Sequence, residues 1–458
     1  MKKYATTLIL LLAPLSLIYA QLNPAITSWL QNTTETGHYY MAGNATPIAN
    51  GILVNCQLVE YSQDYVYVHA TGIPAYPTGP FLDGNPSQAS NQDVIFKYPL
   101  APQANTGAAI STNGGNIGAF INGVALFDFR DGTSWDTASN RLCGGPGNPP
   151  CPGPPGTLQS WNRDAIPAEM AGFDCSKAHP AMGNYHHHQN PSAFKLDLTV
   201  VSDICNLYDA DGLYAIDPDQ HSPLIGYAYD GFPIYGAYGF QNQDGTGGVV
   251  RIKSGYQLRN ITARTHWADG TNVPDGPAIN GTYYLGYFRE DYEFIEHPTE
   301  QDYLDQHNGR FCVTPQYPNG IYAYFATVDE QWNSFYPYAV GPTFYGLAQD
   351  RVVTSVNENT IIYDNTLGFA ENDLNRTHIE IIPNPASDLI AIQLGDLITC
   401  DVVLDLFDSS GKQVRSSVIK KGSTISYFDV QTLYDGAYFI RLKTRTQQVT
   451  KKVMIKRE

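Results

Sequence analysis

Basic residues are scarce in this chain. Lysine and arginine number 27 against 44 aspartates and glutamates in 458 residues, a net charge of −17. That excludes a nucleic-acid surface, which needs lysine and arginine to neutralise phosphates. Charged residues of both signs make up only 16% and hydrophobic ones 43%, so the chain is not of the charged, disordered class. Beyond the first twenty residues no stretch approaches ~18 uncharged apolar residues, so no membrane-spanning helix is expected there. Also missing are the C-x₂-C pairs of thiolate zinc sites, an H-E-x-x-H helix, a G-x-S-x-G elbow and a P-loop with its lysine. Those gaps argue against a zincin, an α/β-hydrolase and a nucleotide enzyme.

Turn formers and aromatics are abundant: 41 Gly, 30 Pro and 32 Tyr. They predict a mainly β chain with few short helices rather than a bundle. The charge is uneven. Residues 371–458 carry 12 basic and 11 acidic side chains, whereas residues 21–370 carry 13 and 33, a net −20. Two kinds of surface imply two units: a large β-rich body over 21–345, a connector over 346–376 and a small β-sandwich over 377–458.

At the start, Lys2 and Lys3 precede the apolar run Leu8–Leu17, then Ile18-Tyr19-Ala20 and the polar Gln21. This is the pattern of a secretory signal over 1–20, with export through the periplasm and no retained anchor. Of seven cysteines, Cys143 and Cys151 bracket a Pro/Gly loop and are expected to bridge. Cys56, Cys175, Cys205 and Cys312 leave three pairings open, and Cys400 is left over.

Strands are predicted at Val54–Tyr61, Asp64–Ala70, Ala193–Ile204, Ile321–Val328 and Phe335–Val340, a pair of short strands within Asn116–Phe129 around the hairpin dipeptide Asn122-Gly123, and a short helix at Thr299–His307. Tyr227–Gly236 is predicted as a hairpin with a type I′ turn at Asp230-Gly231. Pro233 would place its second arm at an edge or bulge. In the last 80 residues, strands are expected at 379–382, 389–394, 401–407, 413–419, 437–444 and 447–455.

Four of eleven histidines fall within ten residues: His179, His186, His187 and His188. If the triplet is extended, His186 and His188 share a face, two rises of ~3.3 Å apart, and His187 points away. Two imidazoles so placed can chelate one ion at ~2.0–2.1 Å. Third-ligand candidates are His179, His221, His266 and Asp230. Imidazole donors suit copper or zinc, and Met182 nearby leans the choice to copper. The alternatives are histidines that are structural in an adhesion or polymer-binding module with Trp135, Trp161 and Trp267 as platforms, and, third, a hydrolase. Acid–base candidates for the last are Asp128, Asp131, Asp174, Asp230, Asp291 and Glu293. Asp209-Ala210-Asp211-Gly212 and Asp217-Pro218-Asp219 do not fit an EF-hand loop and are expected to be turns.

Two resemblances add to this. The tail resembles the type A sorting domain of the Bacteroidetes type IX secretion system, through Ile382-Pro383-Asn384-Pro385-Ala386, Leu406-Phe407-Asp408, Leu433-Tyr434-Asp435-Gly436-Ala437-Tyr438 and Lys451-Lys452-Val453-Met454-Ile455. It implies the type IX secretion machinery as partner and a secreted or outer-surface location. Residues about 95–345 resemble the YHYH family, through Gly123–Asp128, Gly172-Phe173-Asp174, Tyr185–Pro191 and Ser222–Gly236. The motif's second tyrosine is here His187. Tyr322-Ala323-Tyr324-Phe325 stands where shorter members carry an aromatic–histidine segment. That resemblance implies a domain and no particular reaction.

Overall fold

The computed structural model describes residues 22–363 except 82–87, 113, 155–156, 158, 193–211 and 349–351, and residues 379–457 except 395–401, 421–422 and 444–447. The predicted signal, the strand expected at Ala193–Ile204, Asp209 to Asp211 of the expected turn, Cys205 and Cys400 lie outside the described residues. The chain divides into two compact units, Met1–Tyr363 and Asp364–Glu458.

The first unit is built on an eight-stranded mixed sheet. Its strands are β1 (Asn116–Phe120), β2 (Ala125–Phe127), β3 (Ala178–Ala181), β4 (Asn184–His187), β5 (Leu224–Ala228), β6 (Pro233–Tyr235), β7 (Gly309–Cys312) and β8 (Ile321–Phe325), in the spatial order β3-β4-β2-β1-β5-β6-β8-β7. A five-stranded antiparallel sheet lies beside it, in the order Val352–Val353, Val94–Pro99, Tyr65–Ala70, Cys56–Tyr61 and Ile361–Tyr363. The two last-numbered strands come from the predicted connector and close both edges of this sheet. Val66, Val68, Phe96 and Tyr98 of one sheet share a core with Ala119, Phe120, Tyr227 and Ile234 of the other. Trp29 stacks on Tyr98 at 5.4 Å between them. The sheet centre is tight: a Cβ on Gly118 would stand 2.5 Å from the Tyr227 carbonyl oxygen, so only glycine fits.

Several local expectations are corrected. The Tyr227–Gly236 hairpin forms, but only Gly231 of its turn has positive φ, so the turn is not type I′. Gly231 N–H donates to Ala228 O and Ala228 N–H to Phe232 O, a type I turn with a glycine bulge. β6 is not an edge, because β8 pairs in parallel on its other side; Pro233 is tolerated as its first residue. Thr299–His307 forms turns and a bridge from Tyr303 to Lys253 instead of a helix. Phe335–Val340 turns sharply at Tyr338, φ 74°. Cys143 and Cys151 are joined, and Cys175 is also disulfide-bonded. Cys56 and Cys312 remain buried thiols, so the six-cysteine set does not close into three bridges.

The second unit is a β-sandwich of three strands (Ile379–Ile382, Leu389–Leu394, Ile425–Asp429) on four (Val402–Phe407, Gln413–Ile419, Gly436–Lys443, Gln448–Ile455). Ile390, Ile392, Leu404, Leu406, Phe428, Ile440 and Val453 fill its core.

Candidate metal centre

β3 and β4 form a hairpin whose two-residue turn is Met182-Gly183. Both have positive φ, 49° and 88°, the requirement of a type I′ turn. That turn sets the register Ala181↔Asn184, Pro180↔Tyr185, His179↔His186 and Ala178↔His187. Directly opposed residues share a sheet face, and so do residues two apart on one strand. His179, His186 and His188 therefore project together. Each is buried, and one ring nitrogen from each lies within 4.8 Å of the others. Met182, at the tip of the turn, is 98% exposed and takes no part.

His187 and Tyr185 face the other way. His187 Nε2 lies 3.0 Å from Tyr76 Oη, and the Tyr185 hydroxyl donates to Asp174 Oδ2 at 2.7 Å. Burial pushes the His187 imidazole down to about 3. Burial likewise pushes the Asp174 carboxyl up to about 6, against the pull of Tyr185 and three backbone N–H groups.

The tautomers of the facing pair are fixed by the backbone. His186 Nδ1 lies 2.9 Å from Asn184 O, and His188 Nδ1 lies 2.5 Å from Asp128 O. A carbonyl only accepts, so both Nδ1 atoms carry hydrogen. Both Nε2 atoms of the neutral rings are then bare lone pairs, and they stand 3.1 Å apart. A proton between them would make one ring an imidazolium. Burial opposes that charge and, with the neighbouring rings, pushes both His186 and His188 below the usual imidazole value.

A fourth group completes the cluster. Glu169 ends the short helix Ala165–Glu169, whose N-cap Asp164 accepts from Ile166 N–H at 2.9 Å. Its buried Oε2 lies 3.2 Å from His179 Nε2 and 3.4 Å from His188 Nε2, without an aligned hydrogen bond. Burial raises the Glu169 carboxyl, but His179 and His188 outweigh it and hold it below its usual value. Phe127 stacks on His186 at 3.8 Å, and Phe173 meets His179 edge-on at 4.9 Å, enclosing the group. No sequence signal pointed to Glu169: it stands alone, ten residues before His179, on a helix of five residues.

The other candidates serve elsewhere. His221 Nδ1 meets Ser222 O at 2.8 Å, and its ring packs against Tyr235 and Phe240. His266 Nδ1 lies 3.0 Å from Thr265 Oγ1. Asp230 accepts from the Tyr324 hydroxyl at 2.6 Å and Gly346 N–H at 2.8 Å; burial pushes its carboxyl up to about 6. Asp128 pairs with Arg130, Asp131 with Arg163, and Asp291 with Arg264. Glu293 takes a hydrogen bond from Gln257. Trp135 and Trp161 are buried and offer no platform, and Trp267 is 37% exposed.

Burial lowers the His221 imidazole below its usual value. The unfolded chain therefore takes a proton there before the folded one, and stability present above pH 6.5 is lost as pH falls through and below it. His221→Phe should flatten the acid side of a melting-temperature profile between pH 7 and 5, by at most about 1.4 kcal/mol per pH unit. An unchanged slope would contradict this.

Residues 95–336 match the family model for YHYH protein, and residues 380–456 match the one for the Secretion system C-terminal sorting domain. No curated protein matches the chain. The sorting domain implies handling by the type IX secretion system and a secreted or cell-surface protein. No helix among the described residues is long and apolar enough to cross a membrane.

Proposed function

This chain belongs to the YHYH protein family, and we propose that it is an exported metal-binding protein holding one divalent transition ion, copper or zinc. The donors are Nε2 of His179, His186 and His188, with the Glu169 carboxylate as the fourth. One observation carries the proposal: two buried Nε2 lone pairs face each other at 3.1 Å while backbone carbonyls hold both Nδ1 protons. Two acceptors so placed repel unless an electrophile stands between them. An ion ~2.05 Å from both would subtend roughly 100°, close to tetrahedral.

Three imidazoles and a carboxylate suit Cu²⁺ and Zn²⁺ alike, and copper leads zinc in affinity at such donors. Met182 lies in solvent and offers no thioether to favour Cu⁺. Four protein donors fill a tetrahedral sphere, so the ion's role is to tie the β3–β4 hairpin to the helix ending at Glu169. No reaction is assigned to it. The signal over 1–20 and passage through the periplasm belong to the same proposal.

Elemental analysis of protein exported to a periplasm and purified without chelator tests the site. About one equivalent of copper or zinc per chain is expected. The His186→Ala/His188→Ala double variant should bind at least ~100-fold more weakly while keeping its β-rich circular dichroism, and Glu169→Gln about 10-fold more weakly. Metal-free wild type that takes up neither ion, or a double variant that binds like wild type, refutes the proposal.

A further inference from the structure

A surface cleft of about 390 Å³ lies among residues 251–257, 297–303 and 329–335, and none of its lining residues belongs to the histidine cluster. That volume falls in the ~300–1,000 Å³ range of small-molecule sites. Its walls are held by their own bonds. A Cβ on Gly255, one of the lining residues, would stand 2.5 Å from the Phe294 ring and 2.8 Å from Leu304 O, so the wall has no room for a side chain there. On one side the 329–333 loop is locked by Asp329, which accepts from Gln331 N–H at 2.8 Å, Asn333 N–H at 2.9 Å and Asn333 Nδ2 at 2.9 Å. On the other side His297 stacks on Tyr303 at 3.7 Å and 11°.

Two features of the lining point to one chemistry. Phe335 is half-buried and lines the cleft, so part of an apolar side chain is on offer there. Arg251 and Lys253 also line the cleft, two of only 13 basic residues in a body of net charge −20. Arg251 is fixed by Nη1 to Val328 O at 3.0 Å, and its Glu330 partner is 3.7 Å away and 80% exposed. An ion pair that long and that exposed is worth little and is readily exchanged. Lys253 Nζ, by contrast, is held by Asp302 at 2.8 Å. Asp329 also lines the cleft, with its carboxylate hydrogen-bonded to its own loop.

We propose that this cleft binds an acidic saccharide. A sugar ring lays its C–H face on Phe335, and its carboxylate displaces Glu330 to pair with the Arg251 guanidinium, a geometry suited to bidentate contact. The inference uses none of the histidine donors, so its outcome and that of the metal site are separable.

Calorimetric titration of the full chain with galacturonic-acid oligomers and with uncharged cello-oligosaccharides of equal length tests it. The acidic oligomer should bind at least tenfold more tightly than the neutral one. Phe335→Ala and Arg251→Gln should each weaken it about tenfold, and His186→Ala/His188→Ala should leave it unchanged. Arg251 also anchors Val328 O, so Phe335→Ala, whose side chain makes no hydrogen bond, decides the matter if Arg251→Gln misfolds. No binding, equal binding of both oligomers, or acidic-oligomer binding indifferent to Phe335→Ala overturns the proposal.

Discussion

Asp291→Ala lowers the stability of the first unit by about 3–5 kcal/mol, the cost of leaving one partner of a buried ion pair alone. Arg264 and Asp291 both have side chains at 0% exposure, joined by two bonds of 2.7 Å. The guanidinium also donates to Pro277 O, Tyr283 O and Tyr284 O, and the carboxylate accepts from Gly286 and Phe288 N–H. Removing the carboxylate strands a charge that cannot reach water and orphans two amides. The melting temperature should fall by roughly 5–10 °C. The Arg264→Met/Asp291→Leu pair, which removes both charges, should cost less than Asp291→Ala alone. A loss under about 1 kcal/mol for Asp291→Ala would show that water reaches the pair. The site depends on this lobe indirectly. Phe288, under Arg264, packs with Trp161, beside the strand Asn162–Asp164 that leads into the helix of Glu169.

How much of this is legible in the sequence varies with how local the cause is. The sandwich strands at 389–394 and 402–407 are rich in β-branched and other apolar residues and are found. Ile425–Asp429 is missed because its pattern is inverted: Ser426 and Phe428 are buried while Ile425 and Tyr427 face out. Alternation alone puts His186 and His188 on one face. It does not pair His179 with His186, which depends on the Met182-Gly183 turn, and Met-Gly is not a usual signature of that turn type. Asp230 and His221 share the residue types of ligands but are consumed by Tyr324 and Ser222, contacts across the sheet and along the chain that spacing does not reveal. Glu169 is a tertiary contribution altogether. Likewise, the apolar run Phe335–Val340 looks extended because nothing in its composition announces the positive φ of Tyr338.

Removing the proposed ion should cost the first unit about 4 kcal/mol where free metal stands ~1,000-fold above its dissociation constant. The metal-free cluster has little to put in its place. His186 and His188 keep their Nδ1 hydrogens on Asn184 O and Asp128 O, so their lone pairs stay opposed unless a ring turns away from one of those carbonyls. Phe127, stacked on His186, and Phe173, edge-on to His179, leave little room for turning. Glu169 would keep a buried oxygen 3.2 Å and 3.4 Å from two imidazole nitrogens with no ion to share among them. The chelated protein should therefore melt several degrees lower and regain its midpoint on adding back one equivalent of Cu²⁺ or Zn²⁺. The His186→Ala/His188→Ala protein should melt at one temperature with or without chelator. If fully stripped wild type melts with the loaded protein, packing alone holds the hairpin against Glu169, and the facing lone pairs must be relieved by a rearrangement of the rings rather than by an ion.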